Sequence, residues 1–397
     1  MSTFLLIIGL ILFVGLVVVH EFGHFIMARR GGVEVEEFGL GFPPRLLKWS
    51  TKKGWLFTIN LLPLGGFVKL KGEHDTDTEA GSFGAAALGT KTKIMAAGVV
   101  MNLLAAFVLL TFLALVGMPQ LVNNQYVVKS DAKYVQRAQM YTAAATVESG
   151  SPAAGAGIRA GDEILALGKA SHLTTLDNVN VLPTLTSKFA GQTVEVTYRH
   201  GDSGPVIDRT VTLRSVAEVQ NAQKKGKQIG YLGVSVYQAQ NSLNLVRSTW
   251  SAPLVAVGDI GQFTVLTFEG LGKVVAGLGS TIAGGLTGNT EARQAGQTKA
   301  SSQIVGPVGI FYILRSGAAL GYRFVLMIVA VVSLSLAIVN ILPLPALDGG
   351  HLWLMLFSRL VKKPISPDKE EIIHTTGFVV LILLVILITV VDVKRFF

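Results

Sequence analysis

Cysteine is absent from the 397 residues, and charged side chains make up only 15% of them. The first absence removes disulfides, thiolate metal sites and cysteine nucleophiles together, leaving His, Asp and Glu as ligand types. Any part outside the cytoplasm must then be stable without covalent staples. The second, beside an apolar fraction of 50%, excludes an ordinary soluble globule. The formal charge of +9 has no basic stripe interleaved with aromatics behind it, so nucleic acid is not an expected partner. A basic lead-in to the first apolar run is also missing, whereas Arg29 and Arg30 follow that run at once. This is the reverse of a cleavable signal peptide. By the positive-inside rule the N-terminus faces out and residue 30 faces the cytoplasm.

Four segments, roughly 3–28, 94–117, 322–345 and 376–393, each approach the ~20 apolar residues a bilayer core requires. The fold class is therefore a polytopic α-helical membrane protein with about four transmembrane helices. Alternation places 29–93 and 346–375 in the cytoplasm and 118–321 outside. Ten Lys and Arg in the first cytoplasmic loop agree with this, while Lys394 and Arg395 at an outward C-terminus run against it. Within 33–72, Gly54–Asn60 and Phe67–Lys71 read as two strands joined through Pro63-Leu-Gly-Gly66, a membrane-associated β-hairpin region. Such a pair offers an edge to an extended peptide, or simply caps the cytoplasmic face. Residues 122–238 read as a β-rich extracytoplasmic domain. In it, Val147–Leu165 resembles a PDZ domain of the bacterial protease type, and Tyr231, Leu232, Gly233 and Val234 stand where that type carries its carboxylate-binding loop. Residues 250–280 carry Asp259, Gln262, Glu269 and Lys273 on one narrow stripe, which predicts an amphipathic helix on the outer membrane surface. Residues 284–303 read as a polar loop. The implied divisions are 1–121, 122–238, 239–321 and 322–397.

Inside the first apolar run stands His20-Glu21-Phe22-Gly23-His24. Imidazoles at i and i+4 share a helix face and can bind one Zn²⁺, with Glu21 beside them as a base for a water polarised by the ion. Three ionisable groups at that depth are costly unless paired or metal-bound, which marks a functional site. A third ligand is needed. Asn340-Ile-Leu-Pro-Leu-Pro-Ala-Leu-Asp348 offers one, because Pro343 and Pro345 break the third span and set Asp348 just past the break. The first and third spans run in the same direction with their polar clusters near the cytoplasmic end, so the clusters can meet. His351, one turn beyond Asp348, is a further ligand or a partner of one. His74, Asp75, Asp77 and Glu79 read as solvated, His172 and His200 lie on the outer side, and His374 opens the last span as a structural residue.

The pairing of His20–His24 with Asn340–Gly350 resembles the site-2 protease family, in its bacterial RseP-type branch. Phe38–Pro43, Leu64–Leu70, the PDZ stretch, Gly230–Val234 and Val305–Ile310 extend the likeness over nearly the whole chain. The resemblance implies an intramembrane zinc metalloprotease: His20, His24 and Asp348 hold one Zn²⁺ per chain, and Glu21 is the general base. Asn340 binds the substrate backbone, and Gly65, Gly66, Phe67 and Val68 clamp the substrate as an extended strand. Implied substrates are single-pass membrane proteins already trimmed outside, such as anti-sigma factors, or remnant signal peptides. The implied location is the bacterial inner membrane, with N-terminus and PDZ domain outside. Tandem PDZ modules typify familiar Gram-negative members, whereas 118–238 has room for one. Two other classes remain: a membrane zinc transporter, which gives Glu21 no role, and a non-catalytic PDZ scaffold, which gives the ligand set none.

Overall fold

The computed structural model describes the chain except residues 1, 53, 73–77, 123, 137–139, 202–203, 241–242, 302, 363–365 and 397. It divides into two compact units, one of residues 1–135 and 245–397 and one of Gln136–Asn244.

The first unit is built on apolar helices. α1 (Ser2–Arg30) ends where Gly32 takes φ +76°, so that Val33 N–H reaches Ala28 O at 2.9 Å and closes the last turn. α2 (Leu88–Val116) packs against α1, and also against α6 (Ala252–Thr287) and α9 (Tyr322–Ile341). Ala106, Leu110 and Leu113 of α2 meet Ala252, Ala256 and Phe263 of α6 and Met327, Ala330 and Leu334 of α9. Alanines at these crossings let the backbones approach, which is how apolar helices gain packing energy where lipid competes for the same surface. α9 stops at Ile341, before Pro343, and α10 (Asp348–Leu360) begins at Asp348. α11 (Pro367–Phe396) completes the apolar set, and α8 (Pro307–Gly317) is a shorter apolar helix leading into a 3₁₀ turn.

Among the described residues, five helices are long and apolar enough by length and composition to cross a membrane, one more than the four segments expected from sequence. The additional one is α6, where the polar stripe predicts a surface helix. Asp259 in that stripe is fully buried, taking a hydrogen bond from Gln125 Nε2 at 3.3 Å, so part of the stripe faces protein. The expected polar loop over 284–303 is also helical. α6 runs on to Thr287, and α7 (Thr290–Ser301) starts with Asn289 Oδ1 accepting from Ala292 N–H. Gly277 and Gly284 on α6 lie so close to α7 that an added Cβ would meet Gly296, Ala300 or Arg293 backbone below 3 Å. Composition alone hid this pairing.

Beside α1 lie β1 (Val35–Ser50) and β2 (Leu56–Leu70). The sequence predicts Gly54–Asn60 and Phe67–Lys71 as two strands joined to each other. Instead they are the two ends of β2, and β1 runs between them: Phe38 faces Val68 on one side and Phe57 on the other. The bend occurs near Gly65 (φ +146°), a conformation available to glycine. Inside the sheet Glu37, only 3% exposed, is held by Arg45 and by Thr58 Oγ1 at 2.7 Å. Ala28, Val33, Leu70, Phe83 and Ile94 seal the sheet against α1 and α2.

β3 (Met118–Pro119), β11 (Leu245–Arg247) and β4 (Lys133–Gln136) form a small sheet in the order β3-β11-β4. Residues 122–135, expected in the outer domain, group with the helices. Asp131 accepts hydrogen bonds from Ser251 Oγ (2.6 Å) and Thr249 N–H (2.7 Å), and these hold its carboxyl well below the usual carboxylate range.

The second unit carries a six-stranded sheet. Its members are β5 (Met140–Val147), β6 (Glu163–Lys169), β7 (His172–Thr175), β8 (Thr193–Arg199), β9 (Val206–Thr212) and β10 (Val234–Gln240), ordered β10-β5-β6-β8-β9 with β7 on β6. The period-two alternation of β8 buries Val194, Val196 and Tyr198. α3 (Pro152–Gly155), α4 (Val181–Lys188) and α5 (Val216–Lys224) accompany the sheet, and α5 opens with a Ser215–Glu218 capping box.

Candidate metal centre

His20 and His24 lie in the last three turns of α1, both under 9% exposed, and Asp348 opens α10. Nε2 of His20 and Nε2 of His24 are 3.3 Å apart. Asp348 Oδ2 is 2.9 Å from the first and 3.2 Å from the second. A tetrahedral Zn²⁺ with ligands at ~2.0–2.1 Å separates its ligand atoms by ~3.3–3.4 Å, so the triangle has the size such an ion requires.

Hydrogen-bond bookkeeping agrees with a cation. His24 Nδ1–H donates to Ile94 O at 2.8 Å, which leaves a lone pair on Nε2 of the neutral ring. His20 Nδ1 meets the Asn102 carboxamide at 3.3 Å. The Asn102 Oδ1 is otherwise unpartnered, and exchanging amide O and N lets His20 Nδ1–H donate to it. Both Nε2 atoms and a carboxylate oxygen then face one another as acceptors, a set that a bound cation satisfies.

Asn102 was not among the residues expected from sequence. It is a lone carboxamide in an apolar helix, 1% exposed, and a polar group at such depth is itself a pointer to a site. Gly98, one turn earlier, is equally specific. A Cβ there would lie 2.5 Å from His20 Cε1 and from His24 Nε2.

Glu21 lines a cavity of about 190 Å³ together with His24, Val68, Leu70, Phe83, Met95, Asp348 and His351. An added Cβ on Gly66 would sit 3.3 Å from Glu21 Cγ, so this part of β2 runs directly past the acid. Gly65 and Gly66 are buried, Phe67 and Val68 half-buried, and the Phe67 ring covers Gly39. Asn340, half-buried in the last turn of α9, makes no side-chain hydrogen bond among the described residues. The structure thus brings together His20, Glu21, His24, Asp348 and the Gly66–Val68 stretch. Tyr231–Val234 belong to the other unit.

A second group of ligand-type residues comprises His351, Glu370 and His374, with one ligand atom from each within 4.8 Å of the others. His351 joins this group rather than the first. Of the other candidates, His74, Asp75 and Asp77 fall outside the described residues. Glu79 lies 3.7 Å from Lys71 in a polar turn, His172 is exposed, and His200 pairs with Asp162 at 2.9 Å.

A membrane-embedded His-Glu-x-x-His helix, completed by a carboxylate from a broken span, defines a metallopeptidase-type centre. Residues 8–384 match peptidase family M50, and the chain belongs to that family. A Clostridium acetobutylicum protein that carries a provisional zinc metalloprotease name is 27% identical over 394 residues, covering 99% of this chain and 98% of that one. Zinc metalloprotease RasP of Shouchella clausii is 24% identical, with both chains covered in full. RasP of Geobacillus kaustophilus is 25% identical over 98% of this chain and 97% of its own. Together with the apolar helices, this makes the chain an integral membrane protein of a zinc metalloprotease family.

Proposed function

We propose that the protein hydrolyses peptide bonds within or next to transmembrane segments of other membrane proteins. The observation that carries this reading is that His24, Asp348, Glu21 and Val68 of β2 line one cavity, with His20 Nε2 2.9 Å from Asp348 and 3.3 Å from His24. The two histidines and Asp348 hold one zinc ion. When bound, zinc supplies Lewis-acid polarisation of the scissile carbonyl and makes water acidic enough to lose a proton near neutral pH. Glu21 accepts that proton as the water oxygen bonds to the carbonyl carbon, then delivers it to the leaving amine as the C–N bond breaks.

The Gly66–Val68 stretch presents the substrate. Among the described residues it pairs with β1, and Gly66 lies against Glu21, where an added Cβ would be 3.3 Å from Glu21 Cγ. A transmembrane helix satisfies its own backbone amides, so it must unwind before attack, and an added strand repays the lost hydrogen bonds. Asn340, with its carboxamide free of other described partners, donates to the substrate backbone near the scissile carbonyl.

The unit Gln136–Asn244 is read as a single PDZ-type module. Carbonyls of Gly230, Tyr231, Leu232 and Gly233 all accept from within the unit, from Arg214 Nη1, Arg214 N, Ala153 N and Glu148 N. With these carbonyls engaged inside the unit, the loop's N–H groups, next to β10 at the end of its sheet, are the donors we assign to a peptide C-terminus. Arg29 and Arg30 close α1 just after the motif, which supports an active site toward the cytoplasm of the inner membrane, with the N-terminus and PDZ unit outside.

Incubating the purified full chain with a single-pass transmembrane peptide in detergent tests the proposal. Cleavage that stops with a chelator and returns with added zinc supports it. Zinc uptake into sealed vesicles without cleavage would replace it with transport.

A further inference from the structure

The loop that presents Asp348 is held locally by Leu347 N–H on Leu344 O (3.2 Å), by Trp353 Nε1–H on Ile341 O (2.9 Å) and by Gly349 and Gly350 packed on its backbone, and it is gripped further by α11. Pro343 and Pro345 remove two backbone donors, and Ala346 adopts φ +75°, a left-handed conformation that an alanine keeps only when its surroundings impose it. One imposing element is α11, which grips the chain on both sides of Asp348.

Two residues before Asp348, the Ala346 N–H points to His374 Nδ1 on α11 at 3.4 Å. Gly377, one turn further along, lies against Pro345 so closely that a Cβ would sit 2.3 Å from Pro345 Cβ. Three residues after Asp348, the His351 ring stacks on the His374 ring with centroids 3.5 Å apart and planes 6° from parallel. Glu370 lies one turn before His374 on the same helix face, within 4.8 Å of both imidazoles. Parallel rings aim their lone pairs side by side rather than at one point, so this second cluster is shaped as a contact surface, not as a coordination sphere.

We propose that His374 and Gly377 are positioning residues: α11 clamps the Pro343–Leu347 loop and the first turn of α10, and thereby holds Asp348 at the distance from His20 and His24 that zinc requires. The inference rests on Asp348 being a zinc ligand. Supporting groups of this kind change metal affinity by about 10–100-fold when removed.

The test is zinc affinity of the full chain in detergent, measured by competition with a chromophoric chelator, with the Co²⁺-substituted absorption spectrum as a second readout. His374→Ala and Gly377→Leu are expected to weaken zinc about 10–100-fold and to shift the Co²⁺ bands. His374→Gln, which restores an acceptor for Ala346 N–H, recovers part of the loss. Leu387→Ala, on an exposed part of the same helix, leaves both readouts unchanged. Folded His374→Ala and Gly377→Leu proteins with wild-type zinc affinity and spectrum would overturn the clamp, while Asp348→Ala still losing zinc would leave the ligand set standing. Wild-type affinity in Asp348→Ala would instead sink the ligand assignment on which the clamp rests. A second zinc equivalent removed by Glu370→Gln would also overturn it, by making the cluster a metal site.

Discussion

Asn102 of α2 and His20 of α1 meet at 3.3 Å, carboxamide to imidazole Nδ1, although 82 residues separate them in the chain. With the Asn102 amide O and N exchanged, Oδ1 accepts from His20 Nδ1–H and the contact leaves His20 Nε2 for a metal. Asn102→Ala should therefore lower zinc affinity by about 10–100-fold while the protein stays folded. Titration against a competing chelator checks this, and an unchanged dissociation constant would remove Asn102 from the site.

Gly98 is the complementary case, in which absence of a side chain is the requirement. Gly98→Ala places a methyl 2.5 Å from both histidine rings, whose Nδ1 atoms are tied to Ile94 O and to the Asn102 carboxamide. Loss of bound zinc is expected, together with altered α1–α2 packing. Full zinc content in a purified Gly98→Ala protein would show that the rings can move aside.

Arg45 shields Glu37 inside the strand pair that flanks the cavity. Arg45→Ala leaves a carboxylate of 3% exposure with Thr58 as its remaining hydrogen-bond donor. Since the Arg45 side chain is itself 54% exposed, the cost is at the low end for a charged partner, about 1–2 kcal/mol. Faster hydrogen exchange over residues 56–60 is the expected signature.

Asp131 supplies a pH dependence of known sign. Hydrogen bonds from Ser251 and Thr249 depress its folded-state value, so its contribution is full above the unfolded value of about 4 and is lost as pH falls toward the folded one. The melting-temperature advantage of wild type over Asp131→Asn should be present at neutral pH and shrink steadily below about pH 4. An advantage that grows on acidification would contradict the assignment.

The legible part of the site was its covalent pattern. His20, Glu21 and His24 follow from helical spacing, and Asp348 from the prolines that break a span, because both are local rules. Asn102 and Gly98 were not legible, since their roles exist only when α2 is laid against α1. The same holds for β1, which runs between the two ends of β2, and for α7, whose polar composition masks a glycine-mediated fit onto α6. His351 shows the limit from the other direction: its spacing from Asp348 admits a ligand role, but stacking on His374, a residue of another helix, decides its neighbours.

The most direct test of the account is Glu21→Gln in the purified chain, assayed for both zinc content and cleavage of a transmembrane peptide. The substitution keeps side-chain size and leaves His20, His24 and Asp348 untouched. Zinc retained at the wild-type level, with cleavage reduced by at least about 100-fold, is the predicted result. Cleavage at the wild-type rate would contradict the role of Glu21 as base, and with it the proposed peptide hydrolysis at this centre.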